Sequence, residues 1–343
     1  MLAGPWPLGQ SIALFVLAGG LTVVGSVRLA GIGDVLADRT GQGEALFGAV
    51  FFGLVTSLSG IVMTAVTAAN DQPQLAYSNA VGGIAAQTLA VAVADAAYRR
   101  VNLEHAAASM SNVLFGSLLI ALLGVSLMAS FSPDVSLLGV HPASPVIVAF
   151  YWGGLRLVHD RSRTRPMWEA VHTRETVRDV PDETDTGGRR TGALWADFAL
   201  AAALVVVAGW VVARAAGTLV ESTGLQAGFV GAAFMGVVNA LPETVTAVAA
   251  VRRGALTLAV AAIIGGNCLD ALNLVVGDLA YRGGSLYHAA GSDQLFLTAG
   301  ALVMTTVLLG GLLVRQKRGW WRLGFDGVLL ILVYVTIIAT LAF

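Results

Sequence analysis

Charged residues are scarce in this sequence of 343 residues. Asp, Glu, Lys and Arg together make up only 12% of it, whereas 56% of the residues are hydrophobic and the mean hydropathy is +0.77. A soluble globular chain carries about 25% charged residues. The composition therefore indicates a polytopic membrane protein, and we interpret the first apolar segment as a mature helix and not a signal peptide, because no basic stretch precedes it.

Lysine and cysteine are rarer still. Lys317 is the only lysine, and a net charge of −1 provides no basic surface for nucleic acid. The single cysteine, Cys268, excludes an intrachain disulfide, and its position inside an apolar run argues against a structural zinc site. No nucleophile with a matching base and no cofactor motif can be located. We therefore expect neither an enzyme nor a resident cofactor.

Ten apolar segments approach the length of about 20 residues that a membrane-spanning helix needs. They form two groups of five, separated by the hydrophilic stretch 159–192, which we interpret as a linker that is part helical and part disordered. The sequence predicts an all-α polytopic membrane protein with five-helix repeats at 1–158 and 193–343. The segments are 11–29, 45–69, 75–98, 111–131, 142–158, 193–219, 227–251, 256–281, 294–314 and 323–343.

The two groups of helices resemble each other in sequence. A shift of 183 positions places Asp95 on Asp278 and His105 on His288, with further matches around them. Because each copy has an odd number of helices, the copies enter the membrane from opposite sides and form an inverted repeat. Such repeats place the substrate site near the bilayer midplane, where the copies meet.

Arginine placement predicts the orientation of the chain. The clusters around Arg39, Arg99, the linker, Arg252 and Arg318 fall in alternate loops, and Arg282 is the one exception. Cytoplasmic loops carry this excess of basic residues, so we expect a cytoplasmic linker and both termini outside. The short linker and the preference for arginine are typical of a prokaryotic plasma-membrane protein.

Several acids occur within or beside the apolar segments. Glu243 follows Pro242 inside one segment, and Asp270 lies inside the next, where an unpaired charge is costly and is a functional candidate by default. Asp95 and Asp278 lie at segment ends beside arginines, and we interpret them as interfacial anchors or local ion pairs.

Polar groups around the first two acids suit a cation. Pro242 lacks an N–H and frees carbonyl oxygens of the preceding turn, while Asn267, Asp270 and Asn273 form a polar stripe on the next helix. Hard cations prefer such oxygen ligands. We therefore expect the stripe to face Glu243.

The motifs NALPETVTAV and AIIGGNCLDALNLVVGD resemble the alpha-repeat of the sodium/calcium exchanger family, within the calcium/cation antiporter superfamily. The resemblance covers nearly the whole chain. It implies a secondary antiporter that moves Ca²⁺ against Na⁺ or H⁺ by alternating access, with inorganic cations and the lipid bilayer as its partners. The resemblance makes Glu243 and Asp270 the charged ligands, with Asn239 lending its carbonyl. The expected neutral ligands are Ser57, Ser59, Gln87, Asn239 and Asn267.

The first copy departs from the family pattern. At the shift of 183 positions, Gly60 stands opposite Glu243 and Gln87 stands opposite Asp270, so the first copy brings no carboxylate to the centre. Two negative charges would neutralise one Ca²⁺, two Na⁺, or one Na⁺ and one proton. Two alternatives therefore stay open: a monovalent cation/proton exchanger, and a non-transporting membrane protein that kept the fold. The oligomeric state is not indicated.

Overall fold

The computed structural model describes residues 6–40, 57–98, 101–137, 139–161, 191–253, 256–317, 319 and 323–343, and its regular elements there are helices. The first half contains α1 to α6, of which α4 is a single short turn. Their bounds are Leu8–Thr40, Leu58–Ala69, Pro73–Ala97, Leu103–Ala107, Met110–Ser130 and Ala143–Arg161.

The second half contains α7 to α11, and two of these helices are composite. Helix α8 consists of Ala227–Phe229, a π-helical turn at Val230–Met235, and Gly236–Arg253. Helix α9 consists of Leu256–Asp270 and Leu272–Ala280. The other three helices are α7 at Thr191–Thr223, α10 at Ser292–Val314 and α11 at Phe325–Ala342.

Eight of these helices are long and apolar enough to cross a membrane, and α2 and α6 contribute two shorter apolar helices. The all-α membrane fold is thus confirmed, while the count of ten spans stays a prediction. The predicted segment 45–69 is described only from Ser57 onward, because residues 41–56 lie outside the described part of the chain.

The predicted boundaries differ from the structure in two places. Helices α1 and α7 are 33 residues long, because each continues beyond the apolar run into a more polar end. The predicted linker 159–192 is helical at both ends, since α6 runs to Arg161 and α7 begins at Thr191. Its remainder, 162–190, lies outside the described residues.

The two halves repeat the same contacts. Asp95 and Asp278 each accept the backbone N–H of the residue eight positions later, at 2.6 and 3.0 Å. Each also accepts a backbone N–H from the opposite half, from Gly324 at 3.2 Å and His141 at 2.9 Å, and these two residues are again 183 positions apart. Both acids are fully buried. The expectation of local ion pairs was wrong, because these carboxylates bind loop backbone, while the interfacial position stays a prediction.

Equivalent helices also pack against each other, α1 against α7 and α3 against α9. A pseudo-two-fold axis must pass where equivalent residues meet. Gln87 and Asp270, 183 positions apart, meet in a hydrogen bond of 2.6 Å. This pair marks the centre of the molecule, between the two halves.

Helix α3 is the central helix, and it packs on α2, α8, α9, α10 and α11. Glycines bring it into backbone contact with α8: a Cβ added at Gly236 would lie 2.6 Å from the carbonyl carbon of Gly82, and one at Gly82 would collide with the Cα of Ala232. Such close approach is typical of small residues at membrane helix interfaces. It holds the polar faces of α3 and α8 together at the centre.

Candidate cation-binding site

Asp270 is the centre of a buried polar cluster. Its Oδ2 atom accepts hydrogen bonds from Gln87 Nε2 at 2.6 Å and from Asn239 Nδ2 at 3.4 Å, and its Oδ1 atom accepts one from Asn273 Nδ2 at 3.2 Å. The Ser57 hydroxyl also approaches this carboxylate. Because α2, α3, α8 and α9 each supply one of these side chains, the site is built from both halves.

Asn239 occupies the position that a first-half glutamate would need. Its Oδ1 atom accepts a hydrogen bond from Ser59 Oγ at 3.3 Å. A Cβ added at Gly60 would lie 2.5 Å from Asn239 Oδ1, and one at Gly83 would lie 2.6 Å from Asn239 Nδ2. The two glycines therefore form a slot for this carboxamide, which places the Asn239 side chain at the centre. The expected role of its backbone carbonyl stays a prediction.

Glu243 lies one helical turn beyond Asn239. Residues four apart share a face of a helix, so the two side chains follow each other along α8, and Glu243 is 4% exposed. Pro242 lies within the continuous helix, and its missing N–H leaves the carbonyl of Val238 without its usual helical donor. Glu243 on α8 and Asp270 on α9 thus lie on two helices that pack against each other.

Asn267 is displaced from Asp270 by about one turn of α9. Its Nδ2 atom donates to Thr88 Oγ1 on α3 at 2.9 Å, while its Oδ1 atom is buried without a donor. Gln87 Oε1 is likewise buried without a donor. These two amide oxygens are available as neutral cation ligands.

Asn79 and Thr88 belong to the same polar region and were not predicted. Asn79 is fully buried on α3 and donates to Thr64 Oγ1 at 2.9 Å and to the Gly60 carbonyl at 3.3 Å. A signal for it exists in the sequence, since Asn79, Gly83 and Gln87 recur every four residues on one helix face.

Replacing Gly60 by a larger uncharged residue is expected to disturb the cluster without adding a charge. In a Gly60→Ala variant, the added methyl group must displace the Asn239 carboxamide, whose bonds to Ser59 and Asp270 contribute about 1 kcal/mol each. We expect the KM for the transported cation to rise about tenfold. Gly124→Ala on α5 is the matched control, since nothing lies within 4 Å of its Cβ position. Equal KM values in the two variants would contradict the slot.

Comparisons with known proteins agree with this architecture. The model of the family described as sodium/calcium exchanger protein matches residues 10–158 and 193–343. A comparison with curated proteins gives no match.

Among solved structures, an H⁺/Ca²⁺ exchanger named CAX is similar with a TM-score of 0.69 and 14% identity, over 99% of this chain and 86% of that one. Native YfkE gives a TM-score of 0.66 and 13% identity, over 98% and 93%. The sodium-calcium exchanger NCX_Mj gives 0.57 and 16%, over 97% and 99%. The chain belongs to the sodium/calcium exchanger protein family, whose members are secondary cation transporters and not enzymes.

Proposed function

We propose that the protein exchanges Ca²⁺ for Na⁺ or H⁺ across its membrane by alternating access. The observation that carries this proposal is Asp270, a buried carboxylate on the pseudo-two-fold axis that is surrounded by amide and hydroxyl groups from both halves. The names of the similar structures, an H⁺/Ca²⁺ exchanger and a sodium-calcium exchanger, support the choice of ions. The ions are transported substrates, so the exchange requires no cofactor.

The proposed ligand set combines two charges with neutral oxygens. Glu243 and Asp270 supply the charges, which balance one Ca²⁺, and hard cations favour such oxygen donors. Gln87 Oε1 and Asn267 Oδ1 are buried oxygens that have no hydrogen-bond donor, and an approaching cation would compensate them. The remaining neutral ligands in this proposal are Ser57, Ser59 and Asn239.

The amides can change from donors to ligands. Gln87 and Asn239 direct their N–H groups at Asp270 Oδ2, which stabilises the carboxylate charge but blocks that oxygen. Rotation of either carboxamide by half a turn presents a carbonyl oxygen in place of the N–H group. A cation on Asp270 would therefore be completed by the same two side chains, one from each half.

Helices α1 and α7 are the candidates for the part of the protein that moves during alternating access. These two helices pack on each other and contact α2 and α8. Only 33% of the apolar stretch of each is buried, compared with 72% for α3 and α9. In inverted-repeat transporters, one group of helices moves against the rest around a fixed site. We propose that the α1 and α7 pair moves, with the linker on the cytoplasmic side of a prokaryotic plasma membrane.

Proteoliposomes with purified protein test the ions directly. Uptake of labelled Ca²⁺ is measured with an outward Na⁺ gradient alone and then with a pH gradient alone. Uptake driven by either gradient, and lost in Glu243→Gln, supports the proposal and identifies the counter-ion. Absence of Ca²⁺ uptake under both gradients would reject Ca²⁺ exchange.

A monovalent cation/proton exchanger is the second candidate, and the Gly60 slot favours it. Because Asn239 fills the space of a first-half carboxylate, the centre has fewer charges than the alpha-repeat pattern implies for a divalent ion. Labelled Na⁺ flux driven by a pH gradient, with no Ca²⁺ uptake by the same vesicles, is the result that this candidate predicts.

A further inference from the structure

The ends of α3 and α9 carry equivalent polar clusters with different chemistry. In the cluster around Asp278, Ser144 Oγ donates to Asp278 Oδ2 at 2.7 Å and lies 3.0 Å from Tyr287 Oη. Asp278 thus has a hydroxyl donor in addition to its two backbone donors. This cluster contains one carboxylate, and its hydrogen bonds satisfy it.

The equivalent cluster around Asp95 has acids in place of these neutral groups. At the shift of 183 positions, Glu104 stands opposite Tyr287 and Gly327 stands opposite Ser144, so the hydroxyl groups are lost. Asp326 stands opposite an alanine. The result is a cluster of three buried carboxyl groups, from Asp95, Glu104 and Asp326.

Asp95 brings the segments of Glu104 and Asp326 together, because it accepts the backbone N–H of Leu103 at 2.6 Å and that of Gly324 at 3.2 Å. The carboxyl groups of Glu104 and Asp326 there contact each other. Glu104 is 1% exposed, and both of its carboxyl oxygens are buried without a donor, as is Asp326 Oδ2. Two ionised carboxylates cannot remain together in such a place without a cation. Burial, reinforced by the charges of Asp95 and Asp326, raises the pKa of Glu104 well above its usual range.

Two described cationic residues near this pair, His105 and Arg315, bond to each other's backbone. On α4, the His105 ring lies 2.8 Å from the Arg315 carbonyl, and the Arg315 guanidinium donates to the His105 carbonyl at 3.0 Å. Within the described part of the chain, no cationic side chain forms an ion pair with the three acids.

A pair of buried carboxyl groups is suited to share one proton. Among the described residues, the carboxyl groups of Asp95, Glu104 and Asp326 are not grouped closely enough to hold a metal ion together. A single proton, by contrast, satisfies a pair of carboxyl groups at hydrogen-bonding distance. We propose that Glu104 and Asp326 form a proton-binding site that is separate from the transport site. It lies beyond Asp95, which is eight residues, or about 12 Å along α3, from Gln87.

The shared proton would hold the first turn of α11 against α4. Asp326 lies in the first turn of α11, which packs along α3 and α10, whereas Glu104 lies on α4. Loss of the proton would place two like charges side by side between α4 and α11. The junction is therefore stable while the pair is protonated and is weakened when the proton leaves.

Infrared difference spectra of the full-length protein at low and high pH test this site. We expect the wild type to show the carbonyl stretch of a protonated carboxylic acid that is missing in both Glu104→Gln and Asp326→Asn, because each variant removes one partner. Tyr287→Phe, which alters the equivalent position of the other half, should keep the band. If either Glu104→Gln or Asp326→Asn retains the wild-type band, the shared proton is rejected.

Thermal unfolding at different pH values gives a second readout. The pKa of Glu104 is raised on folding, so its stabilisation is present at low pH and is lost as the pH rises through the folded value. The wild-type Tm should therefore fall at high pH. Glu104→Gln and Asp326→Ala, which copies Ala143 at the equivalent position, should flatten that fall. The proposal would be overturned if the Tm of both variants fell with rising pH as much as the Tm of the wild type and of Tyr287→Phe.

Discussion

Cation exchange is expected to be abolished when Asp270 is replaced by asparagine. The substitution keeps the side-chain volume but removes one of the two central charges and turns an acceptor of three amide N–H groups into another amide. At an effective dielectric constant of about 20, a carboxylate about 4 Å from a divalent cation contributes about 8 kcal/mol. Desolvation offsets part of this contribution. We therefore expect the rate of cation uptake to fall at least about a hundredfold.

The initial rate of labelled Ca²⁺ uptake measures this loss. Asp134→Asn is the matched control, because it removes a carboxylate that is 68% exposed in the loop between α5 and α6. We expect it to retain the wild-type rate. Comparable rates for Asp270→Asn and Asp134→Asn would show that the central carboxylate does not bind the transported ion.

The second large effect concerns folding. Gly236→Val would place a branched side chain where α8 already touches the backbone of α3, with Gly82 C at 2.6 Å and Gly83 N at 2.9 Å from the added Cβ. Backbone cannot move aside as a side chain can, so we expect a cost above the usual range for overpacking, about 3 kcal/mol or more. The variant should give little folded protein in detergent.

Gel filtration and thermal unfolding of purified protein check this prediction. Gly310→Val on α10 is the control, since nothing lies within 4 Å of its Cβ position and only the helix propensity changes. Gly236→Val with the same yield and Tm as Gly310→Val would mean that the close contact of α3 and α8 is not required.

Much of the fold follows from the sequence because lipid leaves few choices. The length of the apolar segments identified most of the membrane-spanning helices, because a backbone in a bilayer must form its hydrogen bonds internally. The shift of 183 positions also predicted that Gln87 and Asp270 are equivalent, and the structure joins them. The ends of α1 and α7 escaped prediction because helices can extend beyond the bilayer, where hydropathy gives no signal.

Contacts between helices are the part that sequence patterns could not provide. Asn239 was expected through its backbone carbonyl, but its side chain fills the slot at Gly60 and Gly83, a fact that depends on how α2, α3 and α8 cross. The pairing of Glu104 with Asp326 likewise joins elements that are 222 residues apart in a chain of 343. Only the three-dimensional packing shows that these acids meet.

Calcium binding by purified protein is the measurement that tests the central assignment most directly. Calorimetric titration of the wild type should show one Ca²⁺ bound per chain, because Glu243 and Asp270 together carry two negative charges, and the double variant with Glu243→Gln and Asp270→Asn should bind none. Binding by the double variant with the affinity of the wild type would contradict the assignment, because the ion would then be held elsewhere.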